Sequence, residues 1–151
     1  MYHYKSCGLD NVWLKNGYTE RNTKYGEGVS IDDVEGLHRA LALEIAKLPH
    51  PISPEQFRFL RIELNLSQRR WGGLMGVTDQ AIAHYEKGTR SIPRTVDTSL
   101  RLYYLESIKE ESRVGEMLTE LAELDHKLAD AEQERLELEI EDGEWHTKEV
   151  A

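Results

Sequence analysis

The stretch from Leu66 to Gly88, LSQRRWGGLMGVTDQAIAHYEKG, constrains this chain more than any other part of it. Its capping residues, glycines and apolar positions are spaced for two short helices joined by a tight turn. Ser67 offers the side-chain oxygen that free N–H groups at a helix start require, and Trp71, Leu74 and Met75 give Gln68 to Met75 an apolar side. Gly76 stops that helix. Thr78 caps a second one that begins at Asp79, turns Ala81, Ile82 and Tyr85 to one side, and ends at Gly88. Asp79, Gln80, Ala83, His84 and Lys87 remain on the other side.

A short helix with a packed inner face and small or hydrogen-bonding outer residues suits a DNA major groove, where base edges present donor and acceptor patterns. The same spacing also fits an ordinary helical hairpin. The wider pattern favours the first reading: Ser67-Gln68, apolar Trp71, small Gly72, Gly76-Val77-Thr78, apolar Ile82, Tyr85-Glu86-x-Gly88 and Pro93. Running from about Gln56 to Leu105, it resembles the helix-turn-helix of the Cro/CI-type (XRE-like) repressors. The resemblance implies that Gln68 contacts phosphate or a nearby base, that Asp79, Gln80 and His84 read bases, and that Thr78 caps its helix or touches phosphate. It also implies that Arg61 pairs with Glu86 and fixes the second helix, the alternative for Arg61 being a phosphate contact. Gly72 stands where similar repressors carry alanine at the touching point of two helices, and Gly73 follows it. Gln80 is the leading candidate for direct readout, because its amide can pair bidentately with adenine N6 and N7. Asp79 is unusual beside phosphate and can accept only from cytosine N4 or through another side chain. For His84, donation to guanine, a phosphate contact and plain exposure all stay open.

The formal net charge of −9 is unsuited to a DNA binder until it is divided along the chain. Residues 1–52 carry −1, residues 53–107 carry +2 and residues 108–151 carry −10. Only the middle segment is basic, and its Arg58, Arg61, Arg69, Arg70, Lys87, Arg90, Arg94 and Arg101 are candidates for phosphate contacts. So small an excess predicts binding as a dimer, with an acidic tail that discourages non-specific attachment. No long apolar run predicts a membrane span, MYHYKSCGLD lacks the pattern of an export leader, and the single Cys7 has no internal disulfide partner. The expectation is a cytoplasmic protein.

Residues 1–50 predict a small antiparallel sheet with a helix. Tyr2 and Tyr4 alternate with polar neighbours, Val12 to Leu14 favours β structure, and Asn16-Gly17 signals a two-residue hairpin turn. Tyr18 to Tyr25 reads as the returning strand, Gly26-Glu27-Gly28 as a second turn, and Val29 and Ile31 as a third strand. A helix from Asp32 to about Leu48, with Val34, Leu37, Leu41, Ile45 and Leu48 along one side, is expected to cover the sheet. His3 and Cys7 do not make a zinc site, which needs four ligands in paired spacings. The layout of a β-rich module, a helix and a repressor-like domain is similar to that of MqsA-type antitoxins, which carry zinc cysteines that this sequence lacks.

A linker bounded by Pro51 and Pro54 leads to a capping box, Ser53 with Gln56, that opens the helix-turn-helix domain at 53–108. Phe57, Leu60 and Leu64 form the apolar stripe of its first helix, and Val96, Leu100 and Tyr103 that of its last. Residues 111–142 read as an acidic amphipathic helix with Val114, Met117, Leu121, Leu124, Leu128, Ala131 and Leu138 on a three-four repeat. Dimerisation, packing on the N-terminal module and folding on a partner stay open for it. Residues 143–151 read as a frayed tail. The expected fold class is α+β: a small N-terminal antiparallel sheet plus helix, an all-α helix-turn-helix domain and a C-terminal amphipathic helix.

No Gly-rich phosphate loop, activated nucleophile or H-E-x-x-H motif is present, so neither catalysis nor a cofactor or metal is expected. The expected function is a sequence-specific regulator, a repressor that binds a palindromic operator as a homodimer. The alternative is an antitoxin that neutralises a partner toxin and autoregulates its operon. RNA binding through the same basic face is a third reading. The expected DNA-binding residues are Gln68, Arg69, Arg70, Thr78, Asp79, Gln80, Ala83, His84, Lys87 and Arg90, with Arg61 and Glu86 as a structural ion pair.

Overall fold

The computed structural model describes residues 1–109, 116, 119 and 136–147, which form an α+β fold. Near the N-terminus, β1 (Tyr2–His3) pairs antiparallel with β2 (Trp13–Leu14), and β3 (Tyr18–Thr23) pairs with β4 (Gly26–Ile31). These are two separate two-stranded sheets rather than the single sheet expected. Asn16-Gly17 is not a hairpin turn, because β2 turns back to β1 and not to β3. The Gly17 carbonyl instead accepts from the Asp32 N–H at 2.8 Å. Gly26-Glu27-Gly28, expected as a turn, is the first half of β4. The reversal falls on Lys24-Tyr25, and Gly26 just after it sits at φ +114°, a conformation that glycine adopts without a Cβ penalty.

The helix α1 (Val34–Ala46) starts at Asp33, whose carboxylate accepts from the Gly36 N–H. Expected to cover the sheet, α1 packs instead against α2 (Pro54–Glu63) and α5 (Arg94–Ser107). Ala42, Ile45 and Ala46 are its buried residues, Leu37, Leu41 and Leu48 are partly buried, and Val34 faces solvent. The β3–β4 hairpin stays exposed along almost its whole length.

The middle of the chain follows its local signals closely. Ser53 and Gln56 form the reciprocal capping box that opens α2. Ser67 caps α3 (Gln68–Met75), which ends on Gly76 in the left-handed region; Thr78 caps α4 (Asp79–Lys87), which ends on Gly88 in the same region. Phe57, Leu60, Trp71, Ile82 and Leu100 are fully buried at the centre of the four helices α2 to α5. Trp71 meets the Tyr103 ring edge to face at 6.1 Å, and its indole N–H has no acceptor among the described residues.

A buried polar lock joins the linker to this core. Asp97, only 3% exposed, accepts from the Ile52 N–H at 3.2 Å and from Arg101 at 2.8 Å, while Arg101 also donates to the Leu48 carbonyl. Satisfied on several sides, the carboxylate can remain buried without an unpaired charge. Arg101, a candidate phosphate contact from sequence, is thereby spent on holding the linker.

The C-terminal reading needs correction. Most of the expected helix at 111–142, including Val114, Met117, Leu121, Leu124, Leu128 and Ala131, lies outside the described residues, although Glu116 and Thr119 are helical. Its end is not helical: β5 (Leu138–Glu141) and β6 (Glu144–Thr147) form an antiparallel hairpin. Asp142 at φ +53° and Gly143 at φ +79° make the turn, the Asp-Gly pair that a two-residue hairpin favours. Trp145, expected in a frayed tail, sits in β6. No helix among the described residues is long and apolar enough to cross a membrane.

Candidate nucleic-acid interface

The candidate interface is the outer side of α4 together with the first turn of α3. Ala81, Ile82 and Tyr85 are buried, so the helical period leaves Asp79, Gln80, His84 and Lys87 exposed and Ala83 half-buried between them. Arg69 and Arg70 are exposed at the start of α3, and Arg90 is exposed just beyond Gly88. A shallow depression of about 260 Å³ lies among Ser67, Arg69, Arg70 and Gly73.

What holds α4 in place is a carboxylate with several donors. Glu86, with a side chain 3% exposed, receives Arg61 Nε at 2.6 Å and Arg61 Nη2 at 2.7 Å. Arg61 is itself buried, and its Nη1 donates to the Leu66 carbonyl at 2.8 Å, which ties α2 to the start of α3 and to α4 at once. The planar fork of arginine suits this bidentate geometry, which a lysine could not reproduce. The ion-pair reading of Arg61 is the one realised. Arg58 stands farther off, at 3.9 Å from Glu86, with its side chain largely in solvent.

Gln68 also reaches this anchor. It is half-buried and its amide nitrogen donates to Glu86 at 3.3 Å, so that nitrogen extends the anchor. Thr78 caps: its hydroxyl accepts from the Ala81 N–H at 3.0 Å. The Asp79 carboxylate accepts from the Gln80 N–H at 2.9 Å, so its negative charge sits on the positive end of its own helix. Arg70 donates to the Thr119 hydroxyl at 2.9 Å.

For His84 the surroundings restrict the chemistry. The Thr89 hydroxyl donates to the His84 carbonyl at 3.3 Å and lies 2.7 Å from the His84 ring nitrogen Nδ1. Thr89 therefore engages Nδ1, and the ring nitrogen left for a base is Nε2, an acceptor or a donor according to the tautomer. As an acceptor Nε2 suits the amino groups of adenine or cytosine, and as a donor it suits guanine.

The glycine at 72 is explained by distance. A Cβ there would lie 2.7 Å from the Val77 carbonyl oxygen, in the turn between α3 and α4. The backbones touch at that point. Sequence reasoning missed Thr89, which orients His84, and the Asp97–Arg101 lock. The i, i+4 spacing of Asp97 and Arg101 was a readable signal for their pairing, but the Ile52 N–H, 45 positions from Asp97, was not.

These elements define an α+β protein with a capped helical pair that presents a polar and cationic outer side. The chain matches no protein-family model, no curated protein and no solved structure.

Proposed function

We propose that the chain is a sequence-specific regulator of transcription that binds double-stranded DNA through α3 and α4, acts as a repressor, and works in the cytoplasm as a homodimer. One observation carries this reading. The inner side of α4 is buried and its Glu86 is clamped by Arg61, while Gln80, Ala83, His84 and Lys87 form a fixed outward surface between Arg69 and Arg90. A major groove takes a helix of this kind, with the flanking arginines on the phosphates. The middle segment is the only one with positive charge, at +2, so a monomer contacts few phosphates and two copies are needed for useful affinity. Two-fold symmetry then places half-sites about 34–36 Å apart.

The test is titration of the purified full chain with the duplex upstream of its own gene, a scrambled duplex and the matching RNA, across a salt series. Preference for the upstream duplex, with affinity falling as salt rises, is the expected result. Gln80→Ala should relax the preference at a cost of about 1–3 kcal/mol, whereas Arg69→Ala should weaken all duplexes about equally. Equal binding of all three nucleic acids, or an unchanged preference in Gln80→Ala, overturns the assignment of α4.

A further inference from the structure

The first turn of α3 meets a segment far along the chain. Arg70, exposed and a candidate for phosphate contact, donates from Nη2 to the Thr119 hydroxyl at 2.9 Å, across 49 positions of sequence. Thr119 is helical and half-buried, and Glu116, one turn earlier on the same side of its helix, is exposed. Beside Arg70 lies the depression bounded by Ser67, Arg69, Arg70 and Gly73, at the end of α3 where the helix dipole is positive. An acceptor from the chain itself thus occupies a donor that the DNA reading gives to a phosphate.

Charge decides what this contact does. Thr119 belongs to residues 108–151, which carry −10. In the sequence Glu120 and Glu123 continue the three-four spacing of Glu116 and Thr119, while Val114, Met117, Leu121 and Leu124 follow a separate apolar repeat. From Leu66 to Thr78 there is no acidic residue to offset Arg69 and Arg70. Such a surface attracts carboxylates through the same charge-assisted bonds that it offers to phosphates. The tethered carboxylates have a high effective concentration, and duplex DNA has the higher charge density.

We propose that the acidic segment carrying Glu116 and Thr119 is an intramolecular competitor for DNA, resting on the first turn of α3 in the free chain and displaced when a phosphate takes its place on Arg70. This inference rests on the DNA reading above. A nitroxide is attached at Glu116→Cys in a Cys7→Ser chain, where it has the single thiol. In the free chain it should broaden the amide signals of Arg69 to Gly73, and the duplex upstream of the chain's own gene should restore them. Thr119→Val removes the acceptor without changing charge and should tighten that duplex about threefold, the effect of one exposed hydrogen bond. Glu116→Gln with Glu120→Gln and Glu123→Gln should tighten it about tenfold in low salt, and less as salt rises. Glu139→Gln with Glu141→Gln and Glu144→Gln changes the net charge equally, away from Thr119 in sequence, and should tighten it less than about threefold. The inference is overturned by unbroadened amides in the free chain, by broadening that the duplex does not relieve, by Thr119→Val binding like the parent, or by equal gains in the two triple variants. Broadening in the free chain with no duplex bound by the parent or any variant overturns the DNA reading, and this inference with it.

Discussion

Replacing Gly72 with alanine sets two effects of opposite sign against each other. By helix propensity alone the substitution in α3 favours folding by about 1 kcal/mol. The new Cβ, however, would lie 2.7 Å from the Val77 carbonyl oxygen and 3.2 Å from both the carbonyl carbon and the oxygen of Thr78. All three are backbone atoms, so no side chain can rotate away. The Val77 N–H is bonded to the Gly72 carbonyl at 2.9 Å, and retreat of the turn would stretch that bond. Overpacking of this sort costs about 1–3 kcal/mol, so the net change is a loss of about 0–2 kcal/mol. Gly73, one position on, is exposed and has nothing within 4 Å of its would-be Cβ. There the propensity term acts alone, and Gly73→Ala should gain up to about 1 kcal/mol. Urea unfolding followed by helical circular dichroism measures both variants, with an unchanged slope required for the comparison. Gly72→Ala should unfold at a lower urea concentration than the parent or close to it, and Gly73→Ala at a higher one. If Gly72→Ala is as stable as Gly73→Ala, the turn has slack and the close approach does not position α4.

Arg61→Met should cost about 3–5 kcal/mol in the same assay, because it strands the Glu86 carboxylate in a site where its side chain is 3% exposed. Arg61→Met combined with Glu86→Leu should recover most of that loss, and a double variant no more stable than the single one would refute a buried-charge penalty. Burial pushes the Tyr4 hydroxyl above its ordinary 10.0, with Cys7, Tyr2 and Glu63 adding to the shift. Burial followed by Glu63 does the same to Tyr104, against an opposing effect of Arg39. A folded-state value above the unfolded one means stability is fully present below about pH 10 and declines as pH rises further. Tyr4→Phe should lose about 1 kcal/mol at neutral pH with its hydrogen bond to His38, yet show a shallower alkaline decline. An equally steep decline in Tyr4→Phe would assign the loss to other groups.

Local chemistry was sufficient wherever one residue's partners lie within a turn of it. Ser53 with Gln56, Ser67, Thr78, Gly76 and Gly88 set the bounds of α2, α3 and α4 as read, because caps and left-handed glycines act over three or four positions. The exposed side of α4 followed from its period, and the Arg61–Glu86 pair from the resemblance to known repressors. The N-terminal strands were legible as strands but not in their pairing, since Asn16-Gly17 carries a hairpin signal that pairing between β1 and β2 overrides. The converse error was made at Asp142-Gly143, where a heptad pattern running through Leu138 hid a turn signal of equal strength. By itself, then, the sequence determined the capped helical pair, its outward residues and the uneven charge, all of them properties of neighbours along the chain. Only the tertiary structure decided that α1 packs against α2 and α5 rather than on the sheets, and that Gln68 serves Glu86. It also decided that Arg101 and Asp97 hold the linker through Ile52, because each of these depends on which distant backbone groups are left to be satisfied once the core has closed.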